Sequence, residues 1–147
     1  MSDVMTSGAD NAARNRDIVT AYHNAVWRDG DKSAVDRYWD PDAEVHMTDF
    51  DGTAIAVLHA DIDRYFAAFT DIETSIEHLV AEADKVVLHW TTSGKHVGPY
   101  GDVAATGKRI TMTGMDLLRI DGDRIVECWS MWDGLSVYEQ LGVLKIG

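Results

Sequence analysis

One change of hydrophobic period, near Thr70, constrains the fold more than any other feature of the chain. Before it, apolar residues recur at helical spacing; after it, they alternate as on half-buried strands. Upstream, Asp10 or Asn11 can cap a helix running to about Arg28. Ile18, Val19, Tyr22, Ala25 and Val26 share one face of it, and Gly30 stops it. The spacing predicts a second helix from Ser33 to Trp39, closed by Asp40-Pro41, and a strand from Ala43 to Thr48. Asp61 reads as the cap of a third helix over 62–70 that presents Ile62, Phe66 and Phe69. Downstream, Thr74 to Ala83 and Lys85 to His96 read as strands joined by a tight turn at Ala83-Asp84. A Gly-rich loop spans 98–107. Two last strands, Arg109 to Ile120 and Arg124 to Asp133, flank the hairpin signal Asp121-Gly122. This order implies one α+β domain from residue 11 onward, with a bent antiparallel sheet wrapped on three N-terminal helices. Residues 1–10 read as a loose tail.

Composition narrows the function. Thirteen Lys plus Arg against twenty-five Asp plus Glu give a net charge of -12. Such a chain repels phosphate backbones and anionic bilayers, which argues against nucleic acid and membrane partners. The single cysteine, Cys128, leaves no internal disulfide or Cys-based zinc site and fits a reducing compartment. No apolar run spans a bilayer and the first ten residues lack a basic-then-apolar pattern, so a cytoplasmic protein is expected.

The last hairpin carries the chemistry. With Asp121-Gly122 as a two-residue turn, Ile120 faces Asp123, and opposed residues share a face. One face then holds Ile110, Met112, Gly114, Asp116, Leu118 and Ile120, with Ile125, Glu127, Trp129, Met131 and Asp133. It is the more apolar face and points at the helices. The carboxylates of Asp116, Glu127 and Asp133 interrupt it. Burial of an acid among apolar groups raises its pKa towards working pH, as acid/base catalysis requires. In this register Asp116 sits opposite Glu127, while Asp133 lies roughly 20 Å further along a straight strand. Asp116 and Asp133 would thus address opposite ends of a pocket.

Other side chains are weighed against plain structural roles. Tyr22 can reach a cavity from the first helix or serve as core. His46 on the first strand is a pocket group or a satisfied core histidine. His96 ends a strand beside the Gly-rich loop. Trp90, Trp129 and Met131 are expected to wall the pocket, and Trp132, on the opposite face, suits a subunit contact. His59-Ala60-Asp61 has the spacing of an iron site, but Asp61 reads as a helix cap, so no metal is expected. The loop over 101–108 fails as a phosphate loop, since its glycines are too far apart and Arg109 stands where Ser or Thr belongs. No Gly-x-Ser-x-Gly or Gly-x-Gly-x-x-Gly occurs.

Several segments together resemble one family. GDRIVECW over 122–129, then Asp133, then QLG over 140–142 resembles the ending of the SnoaL-like polyketide cyclases, of the nuclear transport factor 2-like superfamily. DPDAEVH over 40–46 resembles the family's first-strand entry, DKVVLHWTTSGKHVG over 84–98 its central hairpin, and ATGKR over 105–109 the run into the next strand. The resemblance covers about residues 14–144. It implies a cone-shaped fold with a curved mixed sheet around an apolar pocket, a homodimer, and aldol ring closure without a cofactor. It matches Asp133 to the acid after the family's Glu-x-Trp and Asp116 to the pocket acid of ketosteroid isomerase-like relatives. It matches His96 to the His of a Gly-x-His-x-Gly segment. Cys128 stands where relatives often carry His.

The expectation is therefore a cofactor-independent cyclase acting on an apolar, polyketide-like small molecule. Asp116 or Asp133 would be the acid/base, with His96 or a second protonated acid stabilising the enolate. Tyr22, His46, Trp90, Met112, Glu127, Trp129 and Met131 would line the substrate. The alternatives are shape-driven ring closure by a pericyclic or oxygen-addition step, isomerisation, epoxide hydrolysis, or a non-catalytic binding module. No Asp-Arg-Asp set is expected on one face, because Arg119 lies opposite the face of Asp116.

Overall fold

The alternating second half of the chain builds most of one sheet, and the helical first half covers one side of it. The computed structural model describes residues 8–47 and 50–145. Helix α1 (Gly8–His23) runs into a π-helical turn (Asn24–Arg28), followed by α2 (Ser33–Tyr38), β1 (Trp39–Met47), β2 (Phe50–Thr53) and α3 (Ala54–Ala68). Strands β3 (Phe69–Glu82), β4 (Lys85–His96), β5 (Arg109–Asp121) and β6 (Arg124–Trp132) then form a meander, and α4 (Gly134–Leu141) ends the domain. The six strands lie in the order β2-β1-β6-β5-β4-β3. All neighbours are antiparallel except β1 and β6, so the α+β fold has a mixed sheet. No helix of the described residues is long and apolar enough to cross a membrane.

Several boundaries differ from the expectation. Helix α1 begins at Gly8, so residues 8–10 are helical rather than tail. Residues 1–7 of the expected tail, and Thr48 at the expected strand end, lie outside the described residues. Helix α3 starts at Ala54, two turns before Asp61, because Ala54, Leu58, Ile62 and Tyr65 form one buried stripe at helical spacing. Asp61 is therefore a mid-helix residue and not a cap. Strand β2 is four residues long, too short for alternation to register. The strand expected to run to Asp133 ends at Trp132, and Asp133 stands at the start of helix α4. Its side chain caps the helix instead, Oδ1 accepting from the Ser136 N–H at 3.0 Å, and Gly142 closes the other end with φ 86°. Asp133→Ala should therefore cost about 1 kcal/mol in a urea titration, whereas Asp133→Asn keeps the cap.

The largest difference is the register of the last hairpin. Asp121 pairs with Arg124, so the two loop residues are Gly122 and Asp123, with Gly122 at φ 65°. A bulge then follows: Ile120 pairs with Ile125, but Arg119 pairs with Glu127, leaving Val126 as an extra residue on β6. A one-residue slip turns every following side chain to the other face. The inner face of β5 is as expected. On β6 it is Ile125, Cys128, Ser130 and Trp132 that point inward, while Glu127, Trp129 and Met131 point outward.

The inner face meets the helices in two apolar clusters. The larger joins Val19, Tyr22 and Val26 of the first helical segment to Leu58 and Ile62 of α3 and to Val86, Leu88, Leu118 and Ile125 of the sheet. The smaller joins Tyr65 and Phe69 to Ile110, Met112, Val137 and Leu141. A cavity opens beside both.

Candidate functional site

The cavity has a volume of about 170 Å³. Its sheet wall is made by Val45, Trp90, Thr92, Met112, Asp116, Leu118, Cys128, Ser130 and Trp132, all inward-facing by strand alternation. Its helical wall is made by Tyr22, His23, Trp27, Leu58 and Tyr65, with Trp39 at the start of β1. Asp61 and the half-exposed Arg64, paired at 3.0 Å, stand at the solvent end, where the guanidinium lies 5.6 Å from the Tyr100 ring centre. Gly114 shapes the floor. A Cβ there would lie 2.4 Å from Trp90 Cζ2 and 2.7 Å from the Met131 carbonyl oxygen, so only glycine lets the indole lie flat across the strand.

Asp116 is the carboxyl at the cavity floor. It is half-buried, with part of its surface facing the cavity, and desolvation by the protein packed around it pushes its pKa up to about 6. Hydrogen bonds from Ser130, whose Oγ donates to Oδ1 at 2.7 Å, and from Trp90 oppose the rise. Tyr22 is buried close to Asp116 and Cys128. Desolvation, chiefly, raises its pKa far beyond neutral, so its hydroxyl stays a donor. Burial also pushes the Cys128 thiol well up, with the Asp116 charge adding to it. Two further buried polar atoms of the lining, Trp39 Nε1 and Tyr65 Oη, make no hydrogen bond of normal geometry among the described residues.

His23 and Thr92 were not anticipated. His23 Nε2 lies 3.0 Å from Thr74 Oγ1, which lies 2.8 Å from Thr92 Oγ1, and both His23 and Thr92 line the cavity. Burial lowers the His23 pKa to about 4, so the ring is neutral at pH 7. Thr92 shares the parity of Trp90 on β4 and was legible from alternation. His23 was not, since it follows Tyr22 directly and so falls off the apolar helical stripe.

Of the expected site residues, the structure brings Asp116, Tyr22, Trp90 and Met112 together at the cavity. It places Asp133 at the cap of α4. His96 is buried behind the lining against Phe69, its Nδ1 accepting from the Thr106 N–H at 3.1 Å. There it fastens the Gly-rich loop. His46, Glu127, Trp129 and Met131 stand on the outer face of the sheet, the last two 36% and 74% exposed. His46 stacks on Trp129 with ring centres 5.3 Å apart, and its Nε2 lies 2.8 Å from Glu127 Oε2. Glu127 also binds Arg119 at 3.0 Å, so the expected partnership of Glu127 with Asp116 is replaced by one of Asp116 with Ser130. Trp132, expected outside, lines the cavity. Glu44, His46 and Glu127 converge as possible metal ligands, with ligand atoms within 4.8 Å of one another. Arg119 already neutralises Glu127 there.

Comparison with known proteins agrees with this fold. Residues 16–141 match the family of SnoaL-like polyketide cyclases. No curated protein matches the chain. Among solved structures it is similar to AclR from Streptomyces galilaeus, for which a hydroxylase activity is suggested, at 25% identity and a TM-score of 0.80, over 95% of this chain and 100% of AclR. It is similar to TsrD from Streptomyces laurentii at 26% identity and 0.80, over 90% and 97%. It is also similar to a suggested polyketide cyclase from Acidithiobacillus ferrooxidans at 28% identity and 0.75, over 88% and 94%. A protein from Catenulispora acidiphila with a ketosteroid isomerase-like fold superimposes at a TM-score of 0.69 and 19% identity, over 86% of this chain and 93% of that one, which bears on the fold alone. With an inner sheet face that walls an apolar cavity and a match spanning most of its length, the chain belongs to the SnoaL-like polyketide cyclase family.

Proposed function

We propose that the cavity closes a ring in an apolar, carbonyl-bearing, polyketide-like intermediate by acid/base chemistry that needs no cofactor. The observation that carries this reading is Asp116, a carboxyl at the floor of an apolar cavity with its pKa pushed up to about 6. A base of that strength removes an acidic C–H proton near neutral pH far better than an exposed aspartate. Asp116 takes the proton from a carbon next to a carbonyl. The Tyr22 hydroxyl donates to the enolate oxygen that forms. The enolate carbon attacks a second carbonyl held near it by the indole walls, and protonated Asp116 returns the proton to the new alkoxide.

The test is metabolite profiling in the source organism after gene deletion, with complementation by wild type and variants. An uncyclised isomer should accumulate in the deletion strain and disappear with wild type or Asp133→Asn, but persist with Asp116→Asn. Tyr22→Phe should slow turnover by about 10²-fold, the effect of losing one oxyanion donor. Rescue by Asp116→Asn would sink the acid/base reading in favour of closure by shape alone. The likeness to AclR supports a second reading, hydroxylation of the substrate with molecular oxygen as oxidant and a two-electron donor as co-reactant, the second oxygen atom leaving as water. It predicts a product one oxygen atom heavier than the accumulated precursor, where cyclisation predicts an isomer.

A further inference from the structure

The outer face of the sheet holds a pair of side chains that the cavity does not use. His78 of β3 and His89 of β4 stand opposite each other. Their Nδ1 atoms are 2.9 Å apart, and the rings lie within 6° of parallel. Two neutral imidazoles make this contact only when one Nδ1 carries a proton and the other a lone pair. Thr113 decides which. Its Oγ1 lies 2.8 Å from the Trp90 carbonyl, an acceptor, so the hydroxyl hydrogen is used there. Towards His89 Nε2, at 3.3 Å, the same oxygen then only accepts. His89 therefore carries its proton on Nε2 and presents a lone pair at Nδ1, and His78 donates to it.

A third group stands beside them. The register shift between Ile76 and His78 gives β3 an extra residue opposite β4, and that residue is Glu77. Its carboxylate is exposed. It is held below its usual pKa first by the Ser75 hydroxyl, and the fields of both His89 and His78 reach it. No Lys or Arg pairs with it among the described residues. Met115, 54% exposed, follows His89 in register on β5.

We propose that His78 and His89, with Glu77 swinging in as a third ligand, bind a divalent transition-metal ion of the copper or zinc class. Two imidazole nitrogens at about 2.05 Å from one ion and about 90° apart span roughly 2.9 Å, close to the present spacing; with the ring centres 5.2 Å apart the two nitrogens point at each other along one line, so each ring turns by about 45° to aim at the ion. On binding, the proton on His78 Nδ1 moves by way of solvent to Nε2, so both rings ligate as neutral imidazoles and no net proton is released. Thr113 serves as the outer partner that fixes the His89 tautomer. The Glu44–His46–Glu127 group differs, because an ion there would lie against the Arg119 guanidinium.

The test is a titration of the chelator-treated full chain with Cu²⁺ alone and with Zn²⁺ alone, followed by calorimetry and, for Cu²⁺, electron paramagnetic resonance. One ion per chain is expected, with two nitrogen ligands in the copper spectrum. His78→Gln and His89→Gln should each weaken binding by about tenfold or more, Thr113→Val by roughly tenfold, and His46→Gln not at all. Bound ion should also raise Tm, and His89→Gln should abolish that rise. The histidines lie on the outer face, so circular dichroism of the variants is expected to match wild type. Undiminished binding in His78→Gln and His89→Gln, loss of binding in His46→Gln, or the absence of saturable binding would each overturn the proposal.

Discussion

Asp116→Asn is expected to lower turnover by about 10² or more and, at the same time, to raise the stability of the fold. The two effects share one cause. Burial lifts the Asp116 pKa from 3.8 to about 6, so the folded chain holds this proton more tightly than the unfolded one. The stability from this site is complete below about pH 4 and is lost as pH rises through about 6. At pH 7 the ionised carboxylate thus costs the fold on the order of 3 kcal/mol, by about 1.4 kcal/mol per pKa unit. Asparagine keeps an oxygen for the Ser130 hydroxyl and removes the charge, so Tm at pH 7 should rise, at about 2–4 °C per kcal/mol. His23 works in the opposite sense. Its pKa falls from 6.5 to about 4 in the folded state, so its contribution is complete above about pH 6.5 and is lost as pH falls towards 4. In wild type the two trends offset each other across the same window. In Asp116→Asn only the His23 trend remains, and urea titrations between pH 4 and 7 should show stability falling steadily with acid. A flat profile, or a less stable variant at pH 7, would contradict this account of both groups.

Gly114→Ala is expected to be among the most destabilising single-methyl additions in the sheet, by about 1–3 kcal/mol, and Gly114→Val to prevent folding. The added carbon would meet the Trp90 ring, which can shift, and the Met131 carbonyl oxygen, which is held in the β5–β6 ladder and cannot. Relief must come from Trp90 turning towards the cavity. That withdraws its hydrogen bond from Asp116 and fills the space meant for substrate. Folded Gly114→Ala should therefore lose activity beyond its loss of stability. Unfolding titrations and turnover, measured on the same preparation, separate the two.

Much of this was legible in the amino-acid order, and the failures have identifiable physical causes. Strands β3 to β6 and their sequence of pairing follow from alternation and turn residues. So does the inward set of β5, including Asp116. The family resemblance stood on runs from 40–46 to 140–142, inside or beside the matched region of 16–141. The site was half legible, because its other wall depends on Val126. A bulge has no signature in alternation; it shows only as a break in phase. Counting from the turn without it carried Glu127, Trp129 and Met131 to the wrong face. Asp133 was misread for a different reason: an aspartate that ends a strand and one that caps a helix look alike until the following Leu135, Val137 and Leu141 are read as a short helical stripe. The helical wall needs contact information. The Asp61–Arg64 pair belongs to a helix that begins at Ala54, and nothing local places His23 against Thr74.

Val126 also acts as a frame marker, with a consequence for variation in this fold. Because Val126 is the extra residue of the bulge, a deletion there would leave Ile125 opposite Ile120 and Glu127 opposite Arg119 in an unbroken ladder, so Cys128, Ser130 and Trp132 would keep the cavity side and Glu127 the outer one. A one-residue insertion or deletion between 128 and 132 would instead carry the residues beyond it to the other face. Sequence comparisons across β6 should for that reason place a one-residue gap at 126, where it leaves the cavity lining unchanged, and not further along, where letters that agree would present different side chains to a substrate.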